Sequence, residues 1–161
     1  MAKAVAFTGP SNSGKTTIIE KVAKELVPKM RVVVIKNDPK DKAVFDTEGK
    51  DSHRFYSTGA DVIVTSPTRT TYFSHRSRDL EELIEMAKPF DLLLVEGLKT
   101  LPLPRIAVFR GEADPDYFPY IKAVAVDESV DRSTIPQEID ILDLNDVQSI
   151  IAWIMQNAKE V

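Results

Sequence analysis

Eight residues near the N-terminus combine two glycines, a lysine and a threonine at the spacing of a phosphate-binding loop. The segment matches the pattern GxxxxGK[ST] in full: Gly9-Pro10-Ser11-Asn12-Ser13-Gly14-Lys15-Thr16. A second threonine, Thr17, follows it. The glycines let the chain curl so that backbone N–H groups point at the oxygens of a bound triphosphate. Lys15 is then expected to reach the β- and γ-phosphates, and the Thr16 hydroxyl to ligate Mg²⁺. The spacing therefore predicts a nucleotide and magnesium site.

The segments on either side of this loop predict the elements that position it. Residues 4–7 form a short apolar run of strand length that ends just before Gly9. Residues 16–27 carry apolar side chains at helical spacing, and Pro28 ends that helix. Unpaired N–H groups and the helix dipole both favour an anion at a helix N-terminus. The order of strand, glycine-rich turn and helix therefore supports phosphate binding.

The overall composition excludes several other kinds of site. The 161 residues include no cysteine, so disulfides, iron–sulfur clusters and thiol-based metal sites are excluded. A net charge of -4 argues against bulk binding of nucleic acid or an anionic membrane. No apolar stretch approaches the roughly 20 residues of a membrane span, so we expect no transmembrane helix. The N-terminal residues have the pattern of a core strand, so we expect no signal peptide. We expect one cytoplasmic P-loop domain over residues 1–161.

Apolar runs alternate with helical patterns along the rest of the chain. Further strands are predicted at residues 31–35, 61–65, 91–95, 105–109 and 121–126, and further helices at 52–58, 80–87 and 147–158. Near-continuous apolar strands between helices are typical of a mostly parallel sheet covered on both faces, here a P-loop NTPase-type three-layer α/β sandwich. Residues 70–74 follow the 61–65 strand too closely for a parallel crossover. They predict an antiparallel pair, at a sheet edge or a subunit contact.

Strand polarity selects the acidic residue that belongs to the phosphate site. Ligands of open parallel sheets bind beyond the carboxyl ends of the strands. Asp91 begins the 91–95 strand and Glu96 ends it, about 16 Å away at the usual rise per residue. Glu96 is therefore predicted to hold Mg²⁺ or to polarise the attacking water. The next residue, Gly97, is expected to bring a backbone N–H close to the γ-phosphate.

Other candidate groups follow the remaining strands. Asp38 lies just past the second strand and is either a water-positioning or magnesium-linked group, or a carboxylate of the lysine-rich irregular stretch 37–49. Lys36 and Lys99 could neutralise phosphate charge. Asp127 ends the last predicted strand and could accept from the guanine N1–H and N2–H₂ edge. Asn-Lys-x-Asp, the usual guanine-reading motif, does not occur.

Two helix starts also carry recognisable capping chemistry. Asp79 and Glu82 stand three residues apart, which predicts a capping box at the helix of residues 80–87. Asp51 or Ser52 is expected to cap the 52–58 helix, with a second anion site beside Lys50 as the alternative.

Four segments in the same order give the sequence a resemblance to the MobB family: GPSNSGKTT, VVVIKND, GKDSHRFYSTGAD and DLLLVEGLK, within residues 4–127. The resemblance implies a GTP-binding P-loop protein with feeble GTPase activity. It also implies a homodimer that assists the MobA-type molybdopterin guanylyltransferase, with molybdopterin as a candidate ligand. Residues 9–17 would then hold the GTP phosphates, and Thr16 with Glu96 the Mg²⁺. The sequence departs from the family's Lys-His-x-His-His run, because residues 36–40 read Lys-Asn-Asp-Pro-Lys.

The catalytic groups indicate slow chemistry. The sequence marks no arginine as a finger acting in cis, and such a group is worth about 10³–10⁵ in rate. We therefore expect hydrolysis on the order of 10⁻⁴ to 10⁻² per second. A nucleotide or small-molecule kinase is an alternative, although the arginine cluster at residues 69–78 is poorly spaced for a lid. A non-hydrolysing partitioning module is another, but the loop lacks the early lysine typical of that class.

Overall fold

A computed structural model describes residues 1–98 and 101–161, which form two compact units. The first unit comprises residues 1–37 and 87–161, and the second comprises residues 38–86. The strands are β1 (Lys3–Thr8), β2 (Val32–Lys36), β3 (Val62–Thr65), β4 (Thr70–Phe73), β5 (Leu92–Glu96), β6 (Arg105–Phe109), β7 (Ala123–Val126), β8 (Asp140–Asp143) and β9 (Lys159–Glu160). The helices are α1 (Lys15–Leu26), α2 (Asp51–Tyr56), α3 (Leu80–Ala87) and α4 (Val147–Asn157), with 3-10 helices at Pro115–Tyr120 and Arg132–Thr134.

The first unit is built on one mostly parallel sheet. Over the described part of the chain, its strands follow the order β2-β5-β1-β6-β7-β8, with β9 antiparallel beside the start of β1. One face packs on α1 and α4, where Val5 and Phe7 meet Ile18, Val22 and Ile154. Apolar burial on this face fixes the position of α1, and hence of the loop that precedes it.

The opposite face of the same sheet buries a second apolar cluster. Ala107, Phe109 and Val124 pack there with Val130 and Ile135. Because both faces are covered, the strands carry apolar residues almost without alternation. The prediction of an α/β fold with a mostly parallel sheet is confirmed.

The second unit contains the predicted antiparallel pair. Strands β3 and β4 form a two-stranded sheet in which Val62 is paired with Phe73. The Asp61 carboxylate accepts hydrogen bonds from the His75 N–H at 2.9 Å and the Tyr72 hydroxyl at 3.2 Å. These bonds, the one from His75 first, hold the pKa of Asp61 below its usual range and fasten the open end of the hairpin.

Of the two capping predictions for this unit, one is confirmed and the other is wrong. The capping box at α3 is confirmed, because the Glu82 N–H donates to Asp79 and the Asp79 N–H donates back to Glu82, at 2.9 and 3.1 Å. The capping of α2 by Asp51 or Ser52 is wrong. That helix already includes Asp51 in its first turn, its N-cap position is Lys50 without a side-chain bond, and the Ser52 hydroxyl donates to Asp46.

Two short strands were not predicted from the sequence. Strand β8 has only four residues and is bounded by aspartates, and β9 has two. The predicted start of the 121–126 strand is also too early, since β7 begins at Ala123. Residues 37–49 contain no helix or strand, as the sequence predicts. Among the residues described, no helix is both long and apolar enough to cross a membrane.

Candidate functional site

The phosphate loop joins β1 to α1 through backbone conformations that favour glycine. Gly9 has a φ of 137° and Gly14 a φ of 96°, and Asn12 between them has a φ of 62°. A Cβ on Gly9 would stand 2.5 Å from the carbonyl oxygen of Val108 on the neighbouring strand β6. Glycine at position 9 is therefore required both by its φ and by the close approach of β6.

The N-terminus of α1 leaves its first amide groups available. Gly14 is the N-cap residue and provides no side-chain hydrogen bond. The first hydrogen bond of the helix is donated by the Ile18 N–H to the Gly14 carbonyl, at 3.0 Å. The N–H groups of residues 14–17 thus have no acceptor inside the helix. Together with the helix dipole they favour an anion at this point.

The cavity at the loop contains a further unsatisfied group. It has a volume of about 350 Å³ and is lined by residues 10–17 and Glu96. Ser13 is 4% exposed, and its buried Oγ has no hydrogen-bond partner among the residues that the structure describes. A buried hydroxyl without a partner is costly, so an oxygen ligand at this cavity would satisfy it. The residues present therefore fit a bound phosphate.

Glu96 and Lys15 meet at this cavity. In the parallel register Glu96 lies beside Phe7 on β1 and Lys36 on β2. Its carboxylate is 3.7 Å from the Lys15 Nζ and 3.2 Å from the Lys36 Nζ, while Lys15 also donates to the Gly9 carbonyl at 3.1 Å. The predicted location of Glu96 beside the loop is thus observed, and Lys36 contacts this carboxylate.

The predicted role of the Gly97 amide is wrong. This N–H donates to the Phe7 carbonyl at 3.0 Å and so continues the pairing of β5 with β1. Gly97 has a φ of 86°, and a Cβ there would stand 3.3 Å from the Cβ of Asn37. Glycine is favoured at this position because the turn after β5 requires a positive φ. Its N–H is already used in the bond to Phe7 and is not available to a γ-phosphate.

Asp38 organises its own loop in the second unit. One carboxylate oxygen accepts the N–H groups of Lys42 and Ala43, at 2.8 and 2.7 Å. This matches the loop role that the sequence left open, and the contribution of Asp38 to magnesium or water stays a prediction. Lys99, the other predicted phosphate neighbour, lies outside the described residues.

An arginine that the sequence analysis missed borders the phosphate loop. Arg110 directly follows β6, and its Nη2 is 3.2 Å from the position that a Cβ on Gly14 would occupy. The Arg110 Nε lies 3.7 Å from a carboxylate oxygen of Asp127. The carboxyl-edge rule that selected Glu96 would also have found Arg110, had it been applied to basic residues after β6.

Asp127 is held on both of its oxygens. One accepts the N–H of Ser129 at 3.0 Å together with the Ser129 hydroxyl, and the other faces Arg110. The Ser129 hydroxyl, more than Arg110, holds the pKa of Asp127 below its usual range. The Ser129 oxygen in turn accepts the Gly111 N–H at 2.8 Å. The predicted contact of Asp127 with guanine must therefore compete with these partners.

The described residues contain no group of three histidine, cysteine or acidic side chains that could hold a metal on their own. Mg²⁺ at nucleotide sites usually takes only one or two protein ligands, with substrate phosphates and water as the others. Thr16 and Glu96 both line the loop cavity and are the residues there that could hold such an ion.

Comparisons with known proteins show the family of this chain. The family model described as molybdopterin guanine dinucleotide synthesis protein B matches residues 4–127, more than half of the chain. The chain belongs to the MobB family. The molybdopterin-guanine dinucleotide biosynthesis adapter protein of Haemophilus influenzae is 36% identical to it, over 93% of this chain and 86% of that protein.

Solved structures of MobB proteins have the same fold. A crystal structure of molybdopterin-guanine biosynthesis protein B has a TM-score of 0.72 and 27% identity, with 95% of this chain and 98% of that chain covered. Bacillus subtilis MobB, at 24% identity and a TM-score of 0.78 over 99% of both chains, shares the fold. The MobB match contains the phosphate loop, Glu96 and Asp127, and it ends before β8, α4 and β9.

Proposed function

We propose that this MobB-family protein binds GTP with Mg²⁺ at residues 9–17 and works as an adapter in molybdopterin-guanine dinucleotide biosynthesis. The observation that carries the proposal is the uncapped start of α1, with Lys15 and Glu96 3.7 Å apart in the same cavity. The pathway is named in the descriptions of the relatives. The choice of guanine rests on the family resemblance.

The residues of the loop have separate roles in this proposal. The N–H groups at the start of α1 and the Ser13 hydroxyl bind phosphate oxygens, and Lys15 moves from the Gly9 carbonyl to the β- and γ-phosphates. Thr16 and Glu96 would hold Mg²⁺ through their oxygens, and the metal would supply positive charge that offsets the charge of the phosphates. Lys36 keeps the Glu96 carboxylate oriented at the end of β5.

Arg110 extends this proposal to a residue outside the motif. Its guanidinium beside Gly14 is close enough to the loop to attract phosphate, and Asp127 limits its movement. A guanidinium can bind a phosphate with two parallel hydrogen bonds. We assign Arg110 to phosphate binding, with turnover still slow because Glu96 is paired with lysines and Asp38 is bonded within its loop.

Calorimetric titration of the purified chain with GTP and ATP, each with Mg²⁺ or EDTA, tests the nucleotide assignment. We expect saturable GTP binding that Mg²⁺ strengthens, weaker ATP binding, and phosphate release on the order of 10⁻⁴ to 10⁻² per second. Many turnovers per second without a partner would contradict the adapter role. Transfer of labelled γ-phosphate to a small acceptor would instead support the alternative of a kinase.

The partner proposals follow from the adapter role and from the second unit. We propose the MobA-type molybdopterin guanylyltransferase as the partner, with molybdopterin reaching the complex. We also propose a homodimer formed through the hairpin of β3 and β4, whose Ile63 is 66% exposed and whose Val64 and Tyr72 are exposed as well. An apolar hairpin surface of this kind is typical of a protein contact.

Sedimentation velocity at micromolar concentration tests the homodimer. We expect a dimer for the wild type and a monomer for Ile63→Lys. Val27→Lys is the matched control, because Val27 is a similarly exposed valine (59%) at the end of α1 in the first unit. A monomeric wild type, or equal dissociation by both substitutions, would contradict the assignment.

A further inference from the structure

A second and larger cavity of the first unit lies away from the phosphate loop. Its volume is about 740 Å³, and its lining includes Pro102, Arg105, Tyr120, Lys122, Asn157 and Lys159. Arg105 begins β6, Lys122 directly precedes β7, and Lys159 is paired with Ala4 near the start of β1. The phosphate loop follows the carboxyl end of β1. The two cavities therefore lie at opposite ends of the parallel strands.

Three positive charges line this cavity, and none of them has a carboxylate partner in the part of the chain that the structure describes. Among the residues described, no acidic oxygen lies within 4 Å of the charged nitrogens of Arg105, Lys122 or Lys159. The Lys159 Nζ donates a hydrogen bond to the Pro102 carbonyl, at 3.4 Å. Such a concentration of positive charge in a protein of net charge -4 favours an anion at this position.

Arg105 distinguishes the cavity from an ordinary group of surface lysines. The residue is only 2% exposed, and its guanidinium donates to the carbonyls of Leu98 and Leu101 at 2.6 and 3.2 Å. Its Nε is buried and has no hydrogen-bond partner within residues 1–98 and 101–161. Burial lowers the pKa of Arg105, but an arginine stays protonated in a protein. A buried charge without a counter-charge is costly, and an anion in the cavity would lower that cost.

Most of the remaining lining is apolar, with Asn157 and the hydroxyl of Tyr120 as its polar groups. Leu103 and Pro104 are buried, while the Tyr120 side chain is exposed at the cavity. The volume falls in the range of small-molecule sites, about 300–1,000 Å³, and is far larger than one phosphate needs. Three cations match a dianion better than a carboxylate with a single charge, and the apolar wall favours a ligand with an organic body.

We propose that this cavity binds a small organic phosphate, with its dianionic group facing Lys122, Lys159 and the charge of Arg105. Its apolar or aromatic body then packs against the wall formed by Pro102 and Tyr120. Lysine ammonium groups donate charge-assisted hydrogen bonds to phosphate, and Arg105 contributes its charge from the buried side. The site would make the protein a carrier of two phosphorylated ligands at separate edges of one sheet.

Titration with phenyl phosphate, followed by NMR or calorimetry, tests this site. The full chain is used as wild type and as Lys15→Ala, so that binding at the phosphate loop is recognised. We expect saturable binding with a Kd below about 1 mM in both proteins. The double substitution Lys122→Gln and Lys159→Gln should weaken it at least about tenfold, because two charge-assisted donors are lost. Lys24→Gln, on the exposed side of α1, is the control and should leave binding unchanged.

Three further probes identify the recognised chemistry. Inorganic phosphate should bind more weakly than phenyl phosphate because it lacks the apolar body, and phenol should not bind because it lacks the charge. Benzoate should be weaker than phenyl phosphate because it is a monoanion. Equal binding of phenol or benzoate would overturn the proposal, as would binding that is insensitive to the lysine pair or lost in Lys15→Ala. The GTP titration is read separately, so failure of either site is distinguishable.

Discussion

The Nζ of Lys15 lies 3.7 Å from the Oε1 of Glu96 and 3.1 Å from the Gly9 carbonyl oxygen. The ammonium is therefore held at the phosphate loop by oxygen atoms that a triphosphate can replace. We predict that Lys15→Ala folds normally and loses about 10- to 100-fold in GTP affinity, since a hydrogen bond to a charged group contributes about 1.5–3 kcal/mol. Calorimetry measures this, with Lys24→Ala as the surface control. Unchanged affinity in Lys15→Ala would remove the assignment.

Glu96→Gln separates binding from metal-dependent turnover. The amide has the shape of the carboxylate and can accept from Lys36, whose Nζ is 3.2 Å from the Glu96 Oε2. It has no negative charge to offer Mg²⁺, which prefers carboxylate ligands. We predict that GTP affinity in EDTA is kept while Mg²⁺-dependent hydrolysis is lost. Wild-type turnover in this variant would refute the role of Glu96.

The sequence predictions were right where a general rule of sheet topology decides which residues meet, and wrong where one particular tertiary contact decides. Strand polarity located Glu96 at the loop because parallel register brings the ends of β1 and β5 together. The error at Gly97 has a tertiary cause, since its amide is taken by the carbonyl of Phe7 on another strand. Arg110 was missed for a different reason: the rule that located Glu96 was applied to acidic residues alone, although Arg110 follows β6 at the same edge and lies beside Gly14.

Substitutions at Arg110 and Asp127 distinguish phosphate binding from guanine reading. Arg110→Ala should weaken GTP and ATP alike by about 10-fold, with little effect on stability, because its side chain is 51% exposed. Asp127→Asn keeps an acceptor for Ser129 and removes the charge that faces Arg110. If Asp127 only positions Arg110, both nucleotides weaken slightly together. A selective loss of GTP in Asp127→Asn would show instead that this carboxylate reads the base.

Gly9→Ala tests the close approach of the loop to β6. The new Cβ would stand 2.5 Å from the Val108 carbonyl oxygen, and the φ of 137° disfavours any side chain. We predict a loss of about 1–3 kcal/mol in the free energy of unfolding from backbone strain, with more from the clash. Gly111→Ala is the control, because its φ is also positive, at 80°, but a Cβ there meets nothing within 4 Å. Urea unfolding of the two variants isolates the clash, and equal losses would contradict it.

The pair of Arg76 and Glu82 predicts a pH-dependent contribution to the stability of the second unit. The Arg76 Nη1 donates to Glu82 at 2.6 Å, and this bond, followed by that of the Asp79 N–H, holds the pKa of Glu82 below its usual range. Because the folded pKa is lower than the unfolded one, the contribution is present above the ordinary glutamate pKa of about 4.3. It is lost as the pH falls through the folded value.

The difference in stability between the wild type and Arg76→Gln should therefore shrink as the pH is lowered from about 6 to below 4. Hydrogen exchange of the Leu83 amide, which donates to the Asp79 carbonyl at 3.0 Å, reports opening at the start of α3. Glu82→Gln keeps the capping geometry but cannot titrate, so its protection should not respond to Arg76→Gln in this pH-dependent way. The Arg76 charge also interacts with Asp61, whose pKa is lowered as well, so the effect of Arg76→Gln is compared between the wild type and Glu82→Gln to isolate the contribution of Glu82. A difference that stays constant across this range would show that Arg76 acts through packing alone.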